Sequence, residues 1–318
     1  MAVSPASGVR AAVPEDLPAL RSLAVASLRW DADAARLVDL LWPNTDTEFA
    51  LVDEADGVLV GLALGSLGRE SRDPAAARRG HVNLLAVAPG ARRQGRATAL
   101  LHALERRLGS VGARDVLIGG ATPRFAWPGI DVRYTAATCF AEARGYVRQR
   151  EAVNMTVELA TAAAESRLAT ELDEKRLAKL SITVRALSEP DRERITPWLA
   201  GWGGTWREET LATLDRVAEG GDDAGTFVAV LRDGTADAEY VGFASYGVNR
   251  RDWFGPMGTS GELRRLGIGG VLLRRCLSEM RAVGVQSAQI GWVGPVGFYA
   301  RTVDAYVERV YWMYRRDR

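Results

Sequence analysis

ARRQGRATALL at residues 91–101 and LRRLGIGGVLL at residues 263–273 decide how this chain is read. Each sets an arginine, two residues, a glycine, one residue and a second small residue: Arg92, Gly95 and Ala97 in one, Arg264, Gly267 and Gly269 in the other, 172 residues apart. Helical stripes follow, Leu100, Leu101, Leu104 and Leu108 in the first, Leu272, Leu273, Cys276 and Met280 in the second, each giving one apolar face to a sheet. A strand that turns into a helix leaves the first helical amides without partners, and the helix dipole there favours an anion. A glycine lets the main chain approach that anion, and the arginines add charge at the rim. The ligand this chemistry suits is a pyrophosphate. The spacing lacks the Lys-Ser/Thr of a P-loop and the three-glycine dinucleotide fingerprint. A tight turn also favours Gly and Arg for shape alone, but two copies in matched context favour a ligand.

The surroundings repeat as well. VRAAVPEDLPAL (9–20) and VRALSEPDRERI (184–195) each read as strand, turn and helix. FALVDEADGVLVGLALGSL (49–67) and FVAVLRDGTADAEYVGFASYG (227–247) each read as two apolar runs about a polar turn, a β-hairpin. A third strand follows, HVNLLAVAP (81–89) or WFGPMGTSG (253–261), then the glycine turn and its helix. DVLIGG (115–120) and SAQIGW (287–292) are buried-looking strands; a last helix leads to EAVNMTVEL (151–159) or ERVYWMYRR (308–316). The expected fold is mixed α+β: two tandem domains, residues 1–160 and 181–318, each a mixed, mostly antiparallel sheet flanked by helices. Residues 161–180 are charged, Ala-rich and free of Gly and Pro, so they are read as a helical linker.

Composition narrows the function. Among 318 residues, 41 Lys and Arg nearly balance 40 Asp and Glu, so no basic footprint for nucleic acid is expected. No apolar run reaches membrane-span length and no leader is recognised, so a cytoplasmic protein with no membrane partner is expected, as a monomer or homodimer. Two histidines, His81 and His102, make a His-based metal centre unexpected, and no metal is assigned. Cys139 and Cys276 sit in apolar helical patterns and are expected to be reduced core residues.

LLAVAPGARRQGRA (84–97) resembles the acetyl-CoA-binding motif of the GCN5-related N-acetyltransferase (GNAT) superfamily, and RRLGIG (264–269) resembles it again. The order of elements agrees in both halves, so the resemblance covers nearly the whole chain. It implies acetyl-CoA as acetyl donor, with the pyrophosphate on the turns: Arg92, Arg93, Gln94, Gly95, Arg96 and Ala97, and Arg264, Arg265, Leu266, Gly267, Ile268, Gly269 and Gly270. It also implies a bulged strand before each turn, whose main chain at Leu85 to Val87, and at Met257 to Thr259, holds the acetyl carbonyl and the pantetheine arm. Many members carry a tyrosine on the last helix that protonates the departing thiolate. GFYARTVDAY (297–306) matches with Tyr299, whereas CFAEARGY (139–146) has Phe140, which has no proton to give. The second half is therefore the expected catalytic one. The first keeps its turn, and Tyr134, in residues 121–140, offers a second hydroxyl; whether that half binds acetyl-CoA or is active stays open. For the base that takes the amine proton, Asp252 is the candidate; Glu262 is read as solvated and His81 as structural.

The acceptor segment in this fold corresponds to residues 195–215, where Trp198, Trp202 and Trp206 recur every four residues and Gly203 and Gly204 break the helix. Trp202, Trp206, Trp253 and Trp292 are the acceptor candidates: aromatic faces suit the C–H faces of a sugar, although a Trp-rich core reads the same way. PGIDVRYTAATCFAEARGY (128–146) and EAVNMTVEL, with FGPMG (254–258), RRLGIGGVLL and IGWVGPVGFYARTV (290–303), are similar to a bacterial tandem GNAT group. Some of its members are glucosamine or glucosaminide N-acetyltransferases. The implied activity is acetyl transfer to the primary amine of an amino sugar, glucosaminide or aminoglycoside-like, by direct attack in a ternary complex. The alternatives are a protein or peptide amine as acceptor and a non-catalytic CoA-binding scaffold.

Overall fold

The computed structural model of the chain describes residues 8–68, 79–120, 126–203 and 205–317. Gly204 and residues 121–125, singled out above, lie outside them. The chain divides into two compact units, Met1–Ala152 with Val310–Arg318, and Val153–Arg309.

The first unit runs β1 (Gly8–Ala11), α1 (Leu17–Ser27), α2 (Ala34–Leu40), β2 (Glu48–Ala55), β3 (Val58–Leu67), β4 (Arg79–Val87), α3 (Arg96–Ser110), β5 (Asp115–Ile118), β6 (Ile130–Asp131), α4 (Thr135–Ala143) and the start of β7 (Val147–Glu158). The second takes the rest of β7, then α5 (Ala162–Leu168), α6 (Glu171–Ala178), β8 (Ile182–Ala186), α7 (Arg192–Leu199), α8 (Trp206–Ala218), β9 (Gly225–Leu231), β10 (Glu239–Tyr246), β11 (Trp253–Thr259), α9 (Ile268–Ala282), β12 (Ser287–Ile290), α10 (Val296–Val303) and the first residues of β13 (Tyr306–Asp317). The remainder of β13 belongs to the first unit.

Both sheets are mixed and mostly antiparallel. In the first, β1 to β5 lie in sequence order with β13 beside β5, and among the described residues only β4 and β5 run parallel. In the second, β8 to β12 lie in order with residues 155–158 of β7 beside β12, and among the described residues only β11 and β12 run parallel. Each unit thus closes its sheet on a strand segment from the opposite half of the sequence.

The repeated motifs have local causes. In VRA–ED and VRA–PD, an arginine on the first strand forks onto the aspartate that closes the next turn. Arg10 reaches Asp16 at 2.8 and 2.9 Å, and Arg185 reaches Asp191 at 2.7 and 2.8 Å. Those carboxylates also accept the Val13 and Ser188 amides, fixing the approach to α1 and α7. Asp56 and Gly57 both take positive φ and form the tight turn between β2 and β3. The Leu stripe of α3 and the Leu, Cys and Met stripe of α9 are buried against one face of their sheets. Helices α1 and α2, or α7 and α8, cover the other face. Cys276 is in the core as expected, but Cys139 is exposed: α4 buries Thr138 and Ala141, and Cys139 lies off that face. Among the described residues, no helix is long and apolar enough to cross a membrane, and no group of three or more His, Cys, Asp or Glu could hold a metal.

Candidate functional site

In the second unit the site begins where two parallel strands part. β11 and β12 are paired only at Trp253 with Gln289 and Phe254 with Ile290. One more bond, Gly291 N to Phe254 O at 3.3 Å, ends the contact. On its other edge β11 pairs Phe254 with Tyr246 and then Met257 with Ala244, so Gly255 and Pro256 together oppose Ser245. That is a β-bulge, and it bends β11 away from β12 at the point of parting. From there Met257 to Thr259 remain bonded to β10 while their β12 side is open.

The glycine turn continues from this strand. Arg265 (φ +68°) and Gly267 (φ +93°) are both left-handed, and Gly267 caps α9 with no side-chain acceptor. Val271 N donates to Gly267 O, the cap residue, which opens the helical ladder, so the amides of 268–270 are the first-turn donors left without intrahelical partners. A Cβ on Gly269 would stand 3.4 Å from Met257 Cε, 3.5 Å from Thr259 Oγ1 and 3.6 Å from Phe298 Cζ, so strand, helix start and α10 converge there. Arg264 and Arg265 are exposed at the rim. Arg176 of α6, which the sequence reading did not single out, brings its Nη2 within 3.0 Å of the Cβ position of Gly267.

Tyr299 is buried on α10, its ring edge-on to Phe298 (5.0 Å) and to Phe254 (6.3 Å), the last residue of β11 paired with β12. Burial alone pushes its hydroxyl up to about 12, so it keeps its proton at neutral pH. Asp252 lies just outside β11, beyond the paired end; its carboxylate is half exposed and 3.8 Å from Arg250. Glu209, on α8, is a better-buried carboxylate that sequence reasoning missed. Its surroundings raise it to about 7, chiefly by burial, against a 2.5 Å hydrogen bond from Thr205 Oγ1 that acts the other way.

The four acceptor candidates separate. Trp202 lies against Gly258 of β11 and stacks on Trp206 (6.0 Å), both half-buried round Phe243. Trp253 is buried against Gly291 and offers no open ring face. Trp292, the second residue beyond β12, is 36% exposed where the strands diverge.

The first unit repeats the scaffold with different contents. β4 bulges at Asn83, β4 and β5 part after Val82 and Ile118, and Leu85 to Val87 run on to the turn. Arg93 (φ +64°) and Gly95 (φ +80°) reproduce the left-handed pair, and a Cβ on Gly95 would meet nothing within 4 Å. Arg92 donates to Val87 O, Arg93 and Gln94 are exposed, and Ala97 opens the helix where Gly269 does in the second unit. The guanidinium of Arg96 turns inward to buried Asp53 instead of toward the helix start. Phe140 packs on the core. The hydroxyl of Tyr134 donates to Asp31 (2.8 Å), which also accepts from Trp127 Nε1 (3.1 Å), and accepts from the Trp30 amide (3.0 Å). His81 is buried, donates from Nδ1 to Gly119 O, and is held below its usual value mainly by burial.

Residues 17–123 match the model of the acetyltransferase (GNAT) family. No curated protein matches the chain in sequence. In structure it is similar to the GCN5-related glucosamine N-acetyltransferase region of a fungal multi-domain GH3 beta-N-acetylglucosaminidase, with 17% identity and a TM-score of 0.78 over 99% of this chain and 38% of that one. The chain thus spans less than half of that fungal protein. It is similar to a GCN5-related N-acetyltransferase from Sphaerobacter thermophilus, with 18% identity and a TM-score of 0.67 over 99% and 97% of the two chains. It is also similar to a tandem GNAT protein from the clavulanic acid biosynthesis pathway, with 14% identity and a TM-score of 0.67 over 98% of each. The chain has a tandem GNAT fold, in which residues 17–123 match the acetyltransferase (GNAT) family model and the second unit repeats the bulge, the parting strands and the glycine turn.

Proposed function

We propose that the chain is an acetyl-CoA-dependent N-acetyltransferase whose second unit acetylates the primary amine of an amino sugar. The observation that carries this is Tyr299: a buried, protonated hydroxyl on α10, its ring against Phe254 where β11 and β12 part. Acetyl-CoA supplies the acetyl thioester. The open amides of 268–270, with Arg264 and Arg265 at the rim, suit its diphosphate, and the free edge of Met257 to Thr259 suits the pantetheine amides. Alanine already stands at the Gly269 position in the first unit, so the small-residue requirement holds in both turns. Tyr299 holds a proton for the leaving thiolate. Glu209, near 7, is matched to taking a proton from an ammonium at neutral pH, and supports a base role better than half-exposed Asp252.

Transfer is direct. The Cys276 thiol is buried, donates to Ala244 O and is raised by burial, and Cys139 lies on the exposed side of α4. Trp292 at the mouth, with Trp202 and Trp206 behind β11, supports a sugar acceptor over a peptide. For the first unit, Phe140 and the bonding of Tyr134 to Asp31 favour donor binding without turnover. Thiol release from acetyl-CoA with glucosamine, chitosan oligomers, an aminoglycoside and a peptide panel tests the proposal. Turnover with the amino sugars is expected. Turnover with peptides alone, or tight CoA binding with no turnover, sinks it.

A further inference from the structure

We infer that Trp292 is the acceptor-recognising ring of the second unit and that Asn154, on β7, is the residue that positions it; this rests on the acetyl transfer proposed for that unit. Trp292 has φ +50°. The matched position in the first unit, 172 residues earlier, is Gly120, with φ +71°. The turn leaving the short parallel strand therefore needs a left-handed residue in both units. Glycine adopts that conformation freely, and a bulky aromatic there is a rare outlier. Strain of this kind persists where the surroundings over-determine it and a function uses it.

The surroundings are visible. The Trp292 amide donates to Asn154 Oδ1 at 2.9 Å, and the next amide, Val293, donates to Val153 O at 2.9 Å. Asn154 is fully buried, and its Nδ2 donates to Gln289 Oε1 at 3.2 Å. Gln289 in turn donates to Glu308, which also accepts from Thr156. This chain of bonds fixes which way the Asn154 amide points, so its oxygen faces Trp292. In the first unit Tyr311 stands at the Asn154 position, and the Gly120 amide bonds to Trp127 O instead. The asparagine is present only where the tryptophan is.

The ring so held is 36% exposed at the end of β12, across the parting from the Gly255–Pro256 bulge. A rigid aromatic face at that place suits the C–H face of a hexosamine whose amine points into the cleft. Asn154 touches no substrate; it acts through Trp292.

The test uses the full chain and the variants W292G, W292F, N154L and N154L/W292G. W292G is expected to raise the urea midpoint, since it relieves the turn, and to raise the amino-sugar KM at least tenfold while leaving the acetyl-CoA KM unchanged. W292F is expected to recover most of the acceptor affinity. N154L is expected to raise the acceptor KM as W292G does, and the double variant to be no worse than W292G alone. An unchanged acceptor KM in W292G, or effects of N154L and W292G that add, overturns the inference. Turnover is a separate readout. If wild type acetylates no amine, the proposed function fails, and calorimetry with the glucosamine disaccharide and CoA decides: binding lost in W292G supports the ring's role, whereas equal binding, or none, overturns it.

Discussion

Arg96 opens α3 in the first glycine turn, yet its guanidinium serves the core. Nη1 donates to Asp53 Oδ2 at 2.9 Å, with side chains 11% and 0% exposed, and Asp53 Oδ1 is buried with no hydrogen-bond partner among the described residues. In the second unit the matched positions are Ile268, buried, and Leu231, packed against the same core cluster. An ion pair in one repeat thus stands where the other has two apolar residues of one core cluster. Arg96→Ile strands a carboxylate at zero exposure, which costs about 3–5 kcal/mol. Asp53→Leu leaves an arginine that still reaches Gln94 Oε1, so about 1–3 kcal/mol is expected. The double variant copies the second repeat and removes the desolvation of both charges. It should be neutral, or more stable than wild type by about 1–4 kcal/mol. The coupling between the two sites is then several kcal/mol, well beyond the scatter of independent sites. A two-unit chain need not unfold in one step, so amide exchange in β2 and β3 through a urea series, which reads the first unit itself, is the assay. Acetyl-CoA binding at the first turn should survive in the double variant, because main-chain amides hold the anion. A loss under about 1 kcal/mol in Arg96→Ile, or a double variant no better than its worse parent, refutes the reasoning. Loss of CoA binding in a stable double variant would move Arg96 into the ligand site.

Tyr299→Phe should lower kcat of the whole chain more than tenfold with little change in acetyl-CoA KM or in stability, since the ring stays packed on Phe254 and Phe298 and only the buried hydroxyl is lost; steady-state kinetics with both substrates check it. Glu209→Gln should slow turnover and flatten the rise of kcat/KM that wild type is expected to show through pH 7. The same group reports on stability. Its folded value, about 7, lies above the unfolded 4.5, so its contribution is complete below about 4.5 and is lost as pH rises through 7. The loss is about 3 kcal/mol, and the variant should gain on wild type in urea melts at pH 8 but not at pH 4. Arg176→Ala should raise the acetyl-CoA KM several-fold and weaken its salt dependence, because that guanidinium stands over Gly267 at the mouth of the second turn.

Most of the fold was legible because the sequence states it twice. The glycine turns, the Leu stripes and the Asp56–Gly57 hairpin are local patterns with local causes, and they appear where periodicity and turn chemistry put them. Strand partnership was not local. EAVNMTVEL and ERVYWMYRR read as strands, but an apolar alternation does not name its neighbour, and each strand ends in the other half's unit. The Arg96–Asp53 pair spans 43 residues, and nothing in RRQGRA says that its last arginine points inward. Glu209 sits in WREET, which reads as a solvated run; its signal was position, one turn from Trp206 and beside Thr210 and Thr213 on the buried face of α8. The strain at Trp292 was not read from the sequence, although DVLIGG and SAQIGW align glycine with tryptophan at their last residue; the positive φ that gives the alignment meaning is a property of the structure.

That last alignment shows how an internal repeat separates scaffold from chemistry. Features present in both units hold whatever side chains surround them: the bulge, the parting strands and two left-handed residues spaced two apart before the helix. In the proposed function they serve the donor's diphosphate and pantetheine arm, and both units keep them. The differences fall on the groups proposed for the acceptor and the proton. Tyr299 becomes Phe140, which has no proton to give. Trp292 becomes Gly120, so the exposed ring is gone and its strain with it. Tyr134 does not stand in for that group: its hydroxyl donates to Asp31, a buried carboxylate also held by Trp127. A hydroxyl in that bond surrenders its proton to a thiolate only by leaving Asp31 short of one of its donors, at a cost of about 1–3 kcal/mol. Under the proposed function, two copies of one fold divide the work: both present a donor cradle, and the groups for acid catalysis and acceptor recognition are assembled in the second.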